Sequence, residues 1–238
     1  MTEKTLNIII LGPPGAGKGT QANLLEEKFD LEHIEPGDML RELVERGDEI
    51  GIKVNRIMQE GKLVPTDLIM TMLRLRIQSL DEDTGTVFDG SPRRLVEAKA
   101  LEKMLKGLGR NISHVFFLKV SKEEVIKRLA KRITCKKCDH SFIIGVDVKA
   151  GDKVCPLCGG KLFQRKDDTP EGIEKRWQTF LSETQPVVDY FFEKEMLIEI
   201  NGEQPIKMVN QDILKKIYSA RPSASHLLRS LRSLLLIY

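Results

Sequence analysis

Two stretches of the sequence carry residue types and spacings suited to chemistry. The first is "GPPGAGKGT", Gly12 to Thr20, which fits the pattern G-x-x-x-x-G-K. Gly12, Gly15, Gly17 and Gly19 let backbone amides converge on phosphate oxygens with no Cβ in the way. Lys18 supplies a full charge for the outer phosphates. Gly19 stands where Ser or Thr is usual, with Thr20 next. The second stretch, Arg132 to Lys161, holds all four cysteines as two C-x-x-C pairs, Cys135 with Cys138 and Cys155 with Cys158. Such pairs serve a nucleic-acid-binding ribbon, a redox device or a metal staple.

The elements around the first stretch are those a phosphate loop needs. Leu6 to Leu11 is a short apolar run rich in β-branched residues, and Leu24, Leu25 and Phe29 follow Lys18 at helical spacing. Strand, glycine turn and helix result, so the helix N-terminus adds partial positive charge at the loop. Further strands are predicted at Thr86 to Asp89, His114 to Val120 and Leu197 to Ile200, with helices between or after them. This alternation predicts an α/β fold around a parallel sheet. Asp89 closes its strand, the position for a carboxylate that organises magnesium water beside the loop.

Helix punctuation agrees. Ser121 with Glu124 reads as a capping box opening a helix through Leu129, and Thr169 before Pro170 reads as an N-cap and first turn. Trp177, Phe180, Tyr190, Phe191 and Phe192 are expected to pack in the core from one long helical region. Lys99 to Arg110 reads as a solvated amphipathic helix. Two regions break the alternation and read as inserts. Glu35 to Val64 suggests short helices broken at Gly47, Gly51 and Gly61, and the cysteine segment is the other.

The 238 residues, 41% of them hydrophobic, suffice for one core with smaller attachments. The 38 basic and 35 acidic residues give a net charge of +3 spread along the chain, which is no nucleic-acid-type excess. Any cationic site is therefore local. No secretory signal is readable in "MTEKTLNIII", so a cytoplasmic, reducing location is expected. The tail after Tyr218 places Leu227, Leu228, Leu231, Leu234, Leu235 and Tyr238 on one helical face, opposite Arg229 and Arg232. It is too short to span a bilayer and reads as an added or weakly docked extension rather than a membrane-surface helix.

Taken together, "GPPGAGKGTQ", "GDMLR" (Gly37 to Arg41), "GKLVP" (Gly61 to Pro65), "DGSPRR" (Asp89 to Arg94) and "RKDD" (Arg165 to Asp168) resemble the adenylate kinase family, in order and spacing, from about Leu6 to Tyr218. The resemblance implies a P-loop core (residues 1–34, 65–130 and 169–218), a monophosphate-binding insert (35–64) and a lid (131–168), with 219–238 as the tail. It implies reversible transfer of the γ-phosphoryl of ATP to AMP by a monomer, without nucleic acid or membrane partners. Family members with a metal-bearing lid carry two C-x-x-C pairs, and Cys135, Cys138, Cys155 and Cys158 fall inside this one. Four thiolates suit a structural Zn2+ in a closed tetrahedral shell, which leaves His140 as a solvated residue and a redox role without its thioredoxin-like context.

The same resemblance distributes the site. Gly12, Gly15, Ala16, Gly17, Lys18, Gly19, Thr20, Arg128, Arg132 and Gln204 would serve ATP with Mg2+. Pro36, Arg41, Lys62, Val64, Gly90, Arg93, Glu97, Arg165 and Arg176 would serve AMP. Lys18, Arg93, Arg132, Arg165, Arg176 and Asp89 would be catalytic, with Asp167 and Asp168 keeping the lid arginines aimed. Arginine suits this work because it stays charged and grips phosphate through two bonds.

The pocket for the acceptor base departs from the family in three places. Thr before "GD", Phe in "DGFPR" and Gln four residues past the arginine are here Pro36, Ser91 and Glu97. An ionised Glu97 accepts but cannot donate, which would suit guanine's two donors, with Arg94 in a position to meet guanine O6. AMP is still favoured over GMP, because backbone groups also read the base. Two rivals stand outside the class. A zinc-ribbon nucleic-acid binder would use Lys136, Lys137, Lys149, Lys153 and Lys161, but only Phe142 offers a stacking surface. A P-loop ATPase would leave the arginines for a second phosphate group without a task.

Overall fold

The computed structural model describes residues 5–60, 62–138, 140–165 and 167–220. Strand β1 (Asn7–Leu11) is buried along its whole length and is followed by α1 (Lys18–Phe29), β2 (Leu31–Ile34), α2 (Pro36–Arg46) and α3 (Glu49–Gln59). Next come α4 (Thr66–Gln78), β3 (Gly85–Asp89), α5 (Leu95–Gly107), β4 (His114–Lys119) and α6 (Lys122–Ala130). Three short strands follow, β5 (Arg132–Cys135), β6 (Ser141–Ile143) and β7 (Leu162–Phe163). The chain closes with α7 (Pro170–Thr179), a π-turn at Phe180–Thr184, α8 (Gln185–Glu193), β8 (Leu197–Asn201) and α9 (Ile206–Ala220).

Five strands form one parallel sheet in the order β2-β3-β1-β4-β8. Side chains alternate across it with period two, and both faces are apolar, so helices cover both. Ile9, Leu11, Phe88 and Phe117 pack with Leu73 of α4, Leu101 of α5 and Phe191 of α8. Ile8, Ile10, Phe116 and Leu118 pack on the other face with Leu25 of α1, Leu129 of α6 and Ile213 of α9. The α/β class and parallel sheet expected from the sequence are present. Among the described residues no helix is long and apolar enough to cross a membrane.

The second sheet is antiparallel, β6-β5-β7, and its apolar cluster is small: Ile133, Phe142, Val148 and Leu162 with Cys135 and Cys155. A cluster of this size supplies little folding free energy by itself.

Several local expectations need correction. Strand β2 is absent from the sequence reading, because Glu32 and His33 make it polar; it lies at one edge of the sheet. Gly51 lies inside α3 and breaks nothing. A Cβ there would stand 2.2 Å from the Leu43 carbonyl oxygen, so this glycine lets α2 and α3 touch. Gly47 does end a helix, at φ 68°, and Gly61 lies outside the described residues. The box at Ser121 is half formed: its hydroxyl accepts from the Glu124 amide, but its own amide donates to Glu203 Oε1 at 2.8 Å. Thr169 caps α7 by accepting from the Gly172 amide. Phe192 is 67% exposed, unlike Phe180 and Phe191, which are buried. Helix α9 runs two residues past Tyr218, and the tail from residue 221 onward lies outside the described residues.

Candidate active site

The loop after β1 and the carboxyl ends of β3 and β4 meet at one edge of the sheet, the crevice where ligands bind in parallel α/β folds. A cavity of about 1820 Å³ opens there. It is lined by all the loop residues named above, Gly12, Gly15, Ala16, Gly17, Lys18, Gly19 and Thr20, and by Arg128, Arg132 and Gln204. It is also lined by Pro36, Arg41, Lys62, Val64, Asp89, Gly90, Arg93, Glu97, Arg165 and Arg176. Residues spread over most of the sequence are thus gathered around one space.

Glycine is required in the loop by shape. Gly15 has φ 74°, and a Cβ on it would stand 2.9 Å from Leu129 Cγ. Lys18 Nζ donates to the Gly12 and Pro13 carbonyls at 3.1 and 2.9 Å, so the lysine arches back over its own loop. Burial pulls its pKa down to about 8, with Asp89 opposing and Arg93 adding to the fall. Parallel register sets Asp89 beside Ile10, next to the loop. Its carboxylate lies 3.7 Å from His33 Nε2. Burial alone would lower the His33 pKa, but Asp89, with Glu35 and Glu26 behind it, lifts it above the ordinary histidine value.

The arginines are held by carboxylates. Arg132 donates to Asp168 through Nε and Nη2 at 2.9 and 2.7 Å, and Arg176 Nη2 reaches the same carboxylate at 2.6 Å. Asp167 pairs with Arg176 Nη1 at 2.9 Å from a more exposed position. Burial lowers the Arg132 pKa, and Asp168 opposes this. Arg93 Nε donates to the Gly90 carbonyl at 2.8 Å, and Arg128 Nε to Glu124 Oε1 at 2.8 Å. Arg41 pairs with Asp38 and lies 3.5 Å from Glu35 Oε1. Burial raises the Glu35 pKa, Asp89 adds to that, and Arg41, Arg165 and Arg93 oppose it.

Glu97 and Arg94 are both engaged. Glu97 Oε2 accepts from the Arg93 and Arg94 amides at 2.8 and 3.3 Å, and Oε1 lies 3.4 Å from Thr66 Oγ1. Glu97 therefore caps α5 and fixes the backbone that carries Arg93. Arg94 donates to the Val64 and Leu63 carbonyls at 2.9 and 3.3 Å and to Glu183 at 3.3 Å. Neither role is readable from the sequence. The same is true of His33 and Glu35, although recognising β2 would have set them on one side, two residues apart. Lys62 pairs with Glu60 at 2.7 Å, and Gln204 with Asp212 and the Asn201 carbonyl.

The four cysteine sulfurs lie within 4.8 Å of one another, and His140 is outside the group. Cys135 and Cys158 are 3.5 Å apart, Cys138 and Cys155 3.8 Å. Zn–S bonds of about 2.3 Å put tetrahedral sulfurs about 3.8 Å apart, so the donor set fits that ion. The Lys137 amide donates to Cys135 Sγ at 3.3 Å, and a Cβ on Gly160 would stand 2.7 Å from the same sulfur. Burial opposes ionisation of Cys135, yet the backbone amides of Cys138 and Lys137 draw its pKa to about 6, while burial pushes Cys138 up to about 12. His140 is half-buried against Phe142, with ring centres 4.7 Å apart.

Comparison with known proteins agrees with this geometry. The family model described as adenylate kinase matches residues 10–196. An adenylate kinase of Archaeoglobus fulgidus is 40% identical over 217 residues, covering 90% of this chain and 100% of the relative. Those of Thermosipho africanus and Bacillus licheniformis are 38% and 37% identical, covering 89% and 87% of this chain and 99% and 96% of theirs. With a phosphate loop, a gathered set of arginines and these relatives along nearly its whole described length, the chain belongs to the adenylate kinase family.

Proposed function

We propose that the reaction of this family, reversible transfer of the γ-phosphoryl of ATP to AMP to give two ADP, runs in the cavity between Lys18 and Arg93, with the residue roles that follow. The observation that carries this reading is the convergence of Lys18, Arg41, Arg93, Arg132, Arg165 and Arg176 on one cavity. Phosphoryl transfer leaves a protein little covalent work, so the barrier falls through alignment and through neutralising charge on the moving oxygens. Six cations in one space suit two phosphate tails meeting end to end.

In this reading the loop amides and Lys18 hold the ATP phosphates, and Arg128, Arg132 and Gln204 complete that side. Arg41 and Arg93 grip the AMP phosphate, while Arg165 and Arg176 bridge the two. Asp167 and Asp168 aim the arginines of the lid. Asp89 would hold a water of the magnesium carried by ATP, an ion that neutralises phosphate charge. Cys135, Cys138, Cys155 and Cys158 would hold a structural zinc that fixes the fold of residues 131–168. These residues act as a lid that excludes water, and 35–64 act as the acceptor insert. A cytoplasmic monomer acting on ATP and AMP, without nucleic acid, is the matching setting.

AMP is supported as acceptor by the two residues that could have favoured guanine. The Glu97 carboxylate is turned to backbone amides, and Arg94 is bound to Leu63, Val64 and Glu183. The test is a coupled assay with ATP and AMP, GMP, CMP or UMP at equal concentration. AMP should give the highest initial rate, and a clear preference for GMP would overturn the acceptor assignment.

A further inference from the structure

We infer that His33, Glu35 and Asp89 form a divalent-cation site that the protein offers before nucleotide arrives, with one imidazole nitrogen and two carboxylate oxygens as direct ligands. The role of such an ion, though not its ligands, rests on the reading of the neighbouring loop as the ATP phosphate site.

The three donor atoms lie within 4.8 Å of one another and face the cavity. Topology brings them together: β2 runs parallel to β3 with His33 opposite Val87 and Ile34 opposite Phe88, so Glu35 comes level with Asp89. Bonds of about 2.1 Å set the ligand atoms of an octahedral shell about 3 to 4.2 Å apart. The His33–Asp89 distance of 3.7 Å is already in that range, and Glu35 offers a carboxylate oxygen within 4.8 Å of both.

Two further observations point to polar atoms short of a close partner. The Asp89 side chain is only 7% exposed, and the ion-pair partner its carboxylate has among the described residues, His33 Nε2, stands at 3.7 Å, beyond hydrogen-bond length. His33 Nε2 is buried without a hydrogen-bond partner. Buried polar groups rarely stay unsatisfied, and those that do call for an ion, a water or a function. Lys18 bonds to its own loop and Arg93 to the Gly90 carbonyl, so neither neutralises Asp89 directly, while Glu35 is paired with Arg41 at 3.5 Å and would exchange that partner for the ion. On the far side of the imidazole, Glu26 Oε2 lies 3.7 Å from His33 Nδ1. A carboxylate there favours the proton on Nδ1 and leaves Nε2 as donor, the arrangement common behind metal-binding histidines.

One nitrogen with two carboxylate oxygens suits Mn2+, Co2+ or Zn2+ better than Mg2+ or Ca2+, which prefer oxygen-only shells. An ion held here stands beside Lys18, where the outer phosphates of ATP would meet it.

The test uses the full chain with its zinc content measured, free of nucleotide, at pH 8. Mn2+ is titrated and the free ion followed by electron paramagnetic resonance; the bound ion is examined for hyperfine coupling to nitrogen. One Mn2+ per chain should bind below millimolar concentration with a nitrogen coupling. Glu35→Gln and His33→Ala should each weaken binding about tenfold or more, and His33→Ala should abolish the coupling. If His33→Ala does not fold, the coupling in the parent and the affinity of Glu35→Gln decide. Mn2+ that stays free until ATP is added, or binds without nitrogen coupling, overturns the inference. If that same sample transfers phosphoryl with Mg2+ and ATP, the kinase reading stands; Mn2+ binding without any transfer would overturn the kinase reading instead.

Discussion

Asp168→Ala is the most informative single substitution. The Asp168 side chain is 0% exposed and accepts from two guanidinium groups, Arg132 at 2.9 and 2.7 Å and Arg176 at 2.6 Å. Its removal leaves Arg132, only 12% exposed, with buried charge and no carboxylate. Breaking a buried pair by deleting one partner costs about 3–5 kcal/mol. Arg176 is 21% exposed and keeps its bond to Asp167, so the lower end, about 3 kcal/mol, applies here. For a chain of this size that lowers Tm by about 6–12 °C. Two arginines that lose their common anchor should also drift by about an ångström, which costs about 10²-fold in turnover. Asp167→Ala is the control: Asp167 is 55% exposed and among the described residues its carboxylate pairs only with Arg176, so Tm should move by about 4 °C or less. Calorimetry and a coupled assay for ADP on both variants decide the matter. Equal effects at the two positions, or an Asp168→Ala enzyme of parental stability and rate, would refute the reasoning.

Three more outcomes are expected. Arg93→Ala should lower transfer strongly while leaving ATP affinity nearly unchanged, and a steady-state rate within about threefold of the parent would remove Arg93 from the reacting phosphates. Lys18 has its pKa drawn down by burial to about 8, so the nucleotide-free protein loses that charge as pH rises past 8. ATP binding should then take up a proton, and affinity should fall toward tenfold per pH unit above that point; calorimetry at pH 9 in buffers of different ionisation heat measures it. Lys18→Met should abolish the uptake, and a parent without uptake contradicts the burial argument. Chelation should release a single zinc ion per chain and suppress transfer while the helical signal of the core persists. Transfer that survives complete zinc loss would show that the cysteine cluster does not support the lid.

The buried strands and the loop were legible in the sequence because their physics is local. Ile8 to Ile10 and Val87 to Phe88 are apolar on both faces of a parallel sheet, and the loop's glycines and lysine are contiguous. The cysteine pairs were legible for the same reason, since each pair is a single knuckle. What escaped depends on distant partners. The polarity of β2 makes sense only once Glu32 is seen against Arg76, and His33 against Asp89. Gly51 reads as a helix breaker until Leu43 is found packed on it. Glu97 reads as a base-recognition residue until the Arg93 and Arg94 amides are found on its carboxylate. Phe192 shares a helix with Phe191 but points to solvent, a difference of one position on the helical wheel.

The measurement that bears most directly on the central claim is the binding of a ligand carrying two adenosines joined by a chain of phosphates. If Lys18 and Arg93 face the two ends of one phosphate track, a single molecule should bind per chain, competing with both ATP and AMP, and Arg93→Ala should weaken it together with AMP. Binding that excludes ATP but leaves AMP free to bind would mean that the two tails do not meet in this cavity.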